Sequence, residues 1–186
     1  MPKLYMLLIG CKPEGRHTEQ HDVYFGIAES IKELLPELIV FWPEAKGKIH
    51  IDGWREVTNV SGQTVSVVPK ATATEKADVQ LYFINLGGYK PNEFEEFHYK
   101  MIVAAADKSE AITQSKKTAF YMHTGFKGAT SHIDDKYGVD VDDLYELEEI
   151  LSNKAKEKYK IIVQKSDVAL LADELHLGYF KLNSFN

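Results

Sequence analysis

The sequence predicts an α+β fold, a tandem pseudo-twofold duplication of one β-β-α-β-type unit with extra hairpin strands. Its sheet should be antiparallel-rich, with the helices on one side. Three observations predict it. An apolar run closed by glycine, Leu4-Tyr5-Met6-Leu7-Leu8-Ile9-Gly10, returns 77 residues later as Leu81-Tyr82-Phe83-Ile84-Asn85-Leu86-Gly87. The pair Glu19 and His21 returns at the same interval as Glu96 and His98. A helix-start signature, Ser30 with Glu33, returns as Asp107 with Glu110.

Each element follows in order. Short continuous apolar runs ended by Gly are the pattern of well-buried strands. Lys12-Pro13 and Lys90-Pro91 then punctuate loops. Asp22–Ala28 and Tyr99–Ala105 read as the second strand of each copy, although Val23, Ile27, Ile31 and Leu34 also have the spacing of one long helix. The capping boxes place the helix starts at Ser30 and Asp107, because the first side chain accepts from the backbone at the third helical residue. Pro36 removes a donor and is expected to close the first helix. The second is expected to run to about Lys117. A third strand follows each helix, at Leu38–Trp42 and Thr118–Met122.

Two registers compete in the next stretch. Ile51–Val57 aligns with Val141–Leu147, and His50-Ile51-Asp52 also resembles His132-Ile133-Asp134. The first covers more residues and leaves an inserted loop at 123–137. Copy one then ends in a hairpin turning at Ser61-Gly62, and copy two ends with Tyr159–Gln164. The resulting organisation is copy one at 1–68, a linker at 69–78, copy two at 79–164, and a tail at 165–186 with a candidate strand near Leu177–Leu182. So short a linker favours one compact globular unit.

Composition limits the function classes. The net charge is −6, and the basic residues are scattered and outnumbered. This argues against nucleic acid, which demands clustered Lys and Arg. The single cysteine, Cys11, rules out an intrachain disulfide and a cysteine-based zinc site, and fits a reducing cytoplasm. Leu8-Ile9-Gly10-Cys11 imitates a lipoprotein cleavage box, but its apolar run is shorter than the roughly 7–15 residues a signal peptide needs. No run approaches the ~18 apolar residues of a membrane span. A cytoplasmic protein with no membrane partner is the expectation.

The candidate ligand-binding residues are polar side chains in repeated contexts: Glu19, His21, His50, Asp52, Glu96, His98, His132 and Asp134. Residues two apart on an extended segment project to one face. Glu19 with His21, and Glu96 with His98, would then be neighbours able to hydrogen-bond or share a metal. His50 and Asp52 have that spacing on a strand, with Ile49 and Ile51 facing inward. A carboxylate beside an imidazole fixes its tautomer and raises its basicity. The same pairs also arise simply to satisfy one another. Spacing with one intervening residue is weaker evidence for a metal than a helical His-Glu-x-x-His motif, which is absent. Neither a dinucleotide nor a Walker-type glycine loop occurs, no Gly-x-Ser-x-Gly elbow exists, and the acidic stretch 134–149 lacks the calcium-loop pattern.

Leu4–Gly10, Glu19-Gln20-His21-Asp22, His50-Ile51-Asp52-Gly53-Trp54 and Val141-Asp142-Asp143-Leu144-Tyr145 resemble a small bacterial family catalogued as domain of unknown function 1543. Leu is usual in that family where this chain has Gln20 and Phe97. The resemblance implies one or two copies of the domain per chain and carries no assigned activity with it; cofactor and metal stay unknown at this point. Three functions fit the residues. One is a binding protein holding a small polar or anionic ligand at duplicated Glu–His sites. Another is an interaction or self-assembling protein without chemistry, in which a homo-oligomer forms through exposed edges. The third is a metal-assisted or acid–base enzyme. The paired Glu–His sites favour the first.

Overall fold

The computed structural model describes residues 1–73, 78–89, 92–117 and 139–185. The strand expected at Thr118–Met122, the loop at 123–137 with His132 and Asp134, and Lys90-Pro91 lie outside the described residues. The fold is α+β, with antiparallel sheets and few helices. The chain divides into two compact units. Unit one comprises Met1–Glu75 with Leu151–Asn186, and unit two comprises Lys76–Ile150. Among the described residues no helix is long and apolar enough to cross a membrane.

Unit one is built around β1 (Lys3–Cys11), which pairs antiparallel with β2 (Gln20–Ala28) on one side and β3 (His50–Glu56) on the other. Residues of β1 alternate in facing, as strand geometry requires. Tyr5, Leu7, Ile9 and Cys11 join Tyr24, Ala28 and Ile51 in a core with Ile31, Leu34 and Leu38 of helix α1 (Ile31–Phe41). Gly10 therefore belongs to the opposite face of the sheet, and so do His21 and His50, which sit opposite it in the two ladders.

Helix α1 corrects the sequence reading. It continues through Pro36 to Phe41, and Leu38–Trp42 is not a strand. A proline inside a helix costs about 3 kcal/mol or more. Burying Ile31, Leu34 and Leu38 against the sheet offsets this, at roughly 1.5–3 kcal/mol for each large aliphatic side chain. Pro36 also falls on the exposed side, where solvent can serve the carbonyl of Lys32 that lost its donor. The expected cap at Ser30 forms no side-chain hydrogen bond. The carboxylate of Glu33 still reaches back, accepting from the Glu29 amide at 3.2 Å.

A second sheet of unit one has the order β4 (Asn59–Val60), β5 (Gln63–Pro69), β9 (Tyr159–Lys165). Ser61 and Gly62 make the hairpin turn with φ of 53° and 76°, the left-handed values a two-residue hairpin loop requires. Strand β9, which contains the Tyr159–Gln164 segment expected to end copy two, pairs with β5 and falls in unit one. The tail strand β10 (His176–Lys181) pairs antiparallel with β3, giving the order β10-β3-β1-β2. Asp173 anchors the segment before it by accepting from the Thr58 amide at 3.1 Å and its hydroxyl at 2.7 Å. His176 then stacks on Trp54 with centroids 3.8 Å apart and planes 12° apart.

Unit two has β6 (Gln80–Tyr89) between β7 (Glu96–Ala105) and β8 (Val139–Glu146). Tyr82, Ile84 and Leu86 share a core with Val103, Ala105 and Ala111 of helix α2 (Lys108–Ser115). Here the predicted cap forms, with the return bond reaching the residue before it. Asp107 accepts from the Glu110 amide at 2.8 Å, and Glu110 accepts from the Ala106 amide at 2.8 Å. After β8 the chain enters a short helix, α3 (Leu147–Ile150), where unit one has the strand β4. Helix α4 (Asn153–Lys158) returns the chain to unit one.

Candidate functional site

The site of unit one is made by a β-bulge. Along β3, Gly53 lies opposite Leu8 and Ile51 opposite Ile9, so Asp52 is one residue too many for its neighbour. The apolar pattern explains why. Ile51 and Trp54 both pack into the core beneath α1, although they are three residues apart. A regular strand of period two cannot place both there, and the extra residue absorbs the mismatch. The bulge re-aims the Asp52 carboxylate over Gly10. A Cβ at Gly10 would lie 2.6 Å from Asp52 Oδ2 and would also overlap the His50 imidazole. Glycine is needed at this position for space.

Four of the residues singled out by sequence meet above that glycine. His50 Nε2 lies 2.9 Å from Glu19 Oε1 and 3.2 Å from Asp52 Oδ1. His21 Nε2 lies 3.2 Å from Asp52 Oδ2. The nearest contacts therefore cross between strands: the closest partner of Glu19 is His50, and that of His21 is Asp52. One donor atom from each of Glu19, His21 and His50 falls within a 4.8 Å span. His50 is buried, with 6% of its surface exposed. Among the described residues, neither His50 Nε2 nor Asp52 Oδ2 has a hydrogen bond of acceptable geometry. Those two atoms each lie close to a partner of suitable type without being aligned to bond it. Tyr179 of β10, which sequence reading missed, stacks on His50 with centroids 4.3 Å apart and planes 30° apart.

Unit two has a related but more open arrangement. Asn85 lies opposite Asp143 and Leu86 opposite Val141, which leaves Asp142 as the bulged residue. Val141 and Leu144 both pack on the α2-side core, again three residues apart. His98 Nε2 lies 3.3 Å from Asp142 Oδ2, and Glu96, His98 and Asp142 offer donor atoms within 4.8 Å. A Cβ at Gly87 would lie 2.7 Å from Asp142 Oδ1. Asp142 was not among the sequence candidates, although the alignment of Asp52 with Asp142 contained the signal. His132 and Asp134, taken from the competing register, lie outside the described residues.

Cys11 takes no part in this chemistry. It is buried in the core beneath α1, and burial, reinforced by the charge of Glu19, pushes its thiol pKa up. A neutral buried thiol is a packing group rather than a nucleophile.

Residues 16–67 match the model of the family described as Domain of Unknown Function (DUF1543). That segment carries Glu19, His21, His50 and Asp52. No curated protein matches the chain. Among solved structures, the chain is similar to the crystal structure of a protein Il1583 from Idiomarina loihiensis. The TM-score is 0.64 and the identity 17%, with 98% of this chain and 99% of that chain covered. At that identity the likeness concerns the fold.

Proposed function

We propose that unit one binds a divalent transition-metal ion through Glu19, His21, His50 and Asp52. The observation that carries this reading is the buried Nε2 of His50. It is flanked by two carboxylate oxygens at 2.9 and 3.2 Å and hydrogen-bonded to neither. A buried polar atom left unmatched costs about 1–3 kcal/mol, which a metal bond would remove. The spacing suits such an ion. Bonds of about 2.0–2.1 Å set adjacent tetrahedral donors roughly 3.3 Å apart, close to the separations between these nitrogens and oxygens. Two imidazoles with carboxylates suit zinc and its neighbours in the first transition row better than magnesium or calcium, which prefer all-oxygen sets.

The anionic-ligand version of the binding reading fares worse on electrostatic grounds. Glu19 and Asp52 would both face the incoming charge at short range, and like charges there repel. A cation meets the opposite field. The metal-assisted enzyme reading draws on the same residues but needs one of the four to stand off the ion, because a tetrahedral site with four protein ligands leaves no position for water.

We also read the two units as copies of one ancestral unit. What supports this is the repeated placement of a glycine on the central strand, a histidine opposite it, and a bulged aspartate reaching over it. In unit one these are Gly10, His21 and Asp52, and in unit two Gly87, His98 and Asp142. The set in unit two lacks an imidazole corresponding to His50, because Asp140 lies opposite Gly87 there. The tight metal site is accordingly assigned to unit one alone.

The test is zinc titration by calorimetry on protein purified without chelator and then stripped, alongside elemental analysis of the unstripped sample. One tight equivalent is expected, abolished in His50→Ala and weakened in Glu19→Gln. Less than about a tenth of an equivalent on purification, together with no heat of binding, would sink the reading.

A further inference from the structure

We infer that Tyr179, on the C-terminal strand β10, is a positioning residue for the metal site, raising its affinity by holding the His50 ring. This rests on the reading that His50 is a ligand. Its own support is separate, and begins with the register of β10 on β3. Between Leu177 opposite Gly53 and Phe180 opposite Ile51, β10 has two residues, Gly178 and Tyr179, against the single Asp52. One bulge thus serves both strands. It aims Asp52 at the histidines from one side and turns Tyr179 over His50 from the other.

Glycine makes the turn of β10 accessible. Gly178 has a φ of 151°, a conformation that residues with a side chain rarely adopt. Tyr179 is 65% exposed, yet one face of its ring covers an imidazole that is only 6% exposed. A large aromatic on an edge strand gains little from the core in such a position. Its contact is with the histidine.

Metal coordination strengthens that contact. A bound divalent ion draws electron density from the imidazole, and an electron-poor ring attracts the negative face of a phenol more strongly. The stack therefore favours the loaded state, and by reciprocity the metal favours the stack. The phenol hydroxyl has no role in this argument, so phenylalanine should serve as well as tyrosine.

Zinc titration of Tyr179→Leu and Tyr179→Phe tests the inference, with cobalt absorption spectra of each variant as a second readout. Tyr179→Leu should bind zinc about tenfold more weakly and shift the cobalt bands, while Tyr179→Phe stays within about twofold of the parent. Equal affinity and identical spectra for all three proteins would overturn the role of Tyr179 while leaving the metal site intact. Absence of binding in the parent would overturn both. Should Tyr179→Leu fail to fold, proton spectra of the parent decide. The Tyr179 ring signals, assigned by their loss in Tyr179→Phe, should move on zinc addition, and signals unmoved in zinc-loaded protein would reject the inference.

Discussion

The carboxylate of Asp52 occupies the space where a side chain on Gly10 would begin, with Oδ2 2.6 Å from the position of that missing carbon. Gly10→Ala must therefore push Asp52 and His50 away from the donors they face. Overpacking of this kind costs about 1–3 kcal/mol where neighbours cannot retreat, and the buried His50 has little freedom to do so. The expected outcome is a lower melting temperature and a loss of zinc binding of at least tenfold, read by thermal denaturation and calorimetry. Gly15→Ala is the control for a mutation at glycine as such. Among the described residues, none beyond its two chain neighbours comes within 4 Å of its missing carbon, so any loss there comes from its φ of 79° and should leave zinc binding alone.

The two helix starts were alike in sequence and differ in structure, which gives a second prediction. Asp107 accepts from the Glu110 amide at 2.8 Å, whereas Ser30 caps nothing with its side chain. Asp107→Ala should destabilise helix α2 by about 1 kcal/mol, and Ser30→Ala should cost far less. Hydrogen exchange at Ala111 and Lys116, whose amides bond to Asp107 and Ile112 carbonyls, would register the difference. Equal effects of the two substitutions would contradict the assignment.

How much of this was legible depended on whether local chemistry or tertiary burial decided each element. β1 and β6 were plain, because continuous apolar runs closed by glycine admit little else. The Ser61-Gly62 hairpin was equally plain, since its turn chemistry is local. Helix α1 was misread at Pro36, where the rule for an isolated helix was applied to one whose Leu34 and Leu38 are fully buried. For the site, Glu19, His21, His50 and Asp52 were named, but their crosswise contacts were not, because strand spacing says nothing about an extra residue. Apolar Ile51 and Trp54 three apart within a strand marked the bulge, and Val141 and Leu144 repeated it. Tyr179 gave no local signal, since its partner lies well over a hundred residues away in sequence.

In unit one, Glu37 of α1 accepts from the Tyr24 hydroxyl at 2.7 Å and from Lys154 at 3.2 Å. Burial acts to raise the Glu37 pKa, but hydrogen bonds from Tyr24, Ser152 and Lys154, with the charge of Lys154, outweigh it and the net shift is downward. A carboxylate with a depressed folded pKa stabilises the fold above its unfolded value, near ~4.3, and that contribution fades as the pH falls through the folded value. Tyr24 is shifted the other way. Burial first, and then the bond and charge of Glu37, push its phenol up. Its contribution is intact below the unfolded phenol value, near ~10, and declines as the pH rises beyond it. Glu37→Gln should thus flatten the acid limb of the stability profile below about pH 4–5, and Tyr24→Phe the alkaline limb above about pH 10. Tyr24→Phe should also cost about 1.5–3 kcal/mol at neutral pH, because it removes a hydrogen bond to a charged group. Urea denaturation across pH measures both, and a Glu37→Gln profile parallel to the parent down to pH ~2 would show that the carboxylate is not held by these partners.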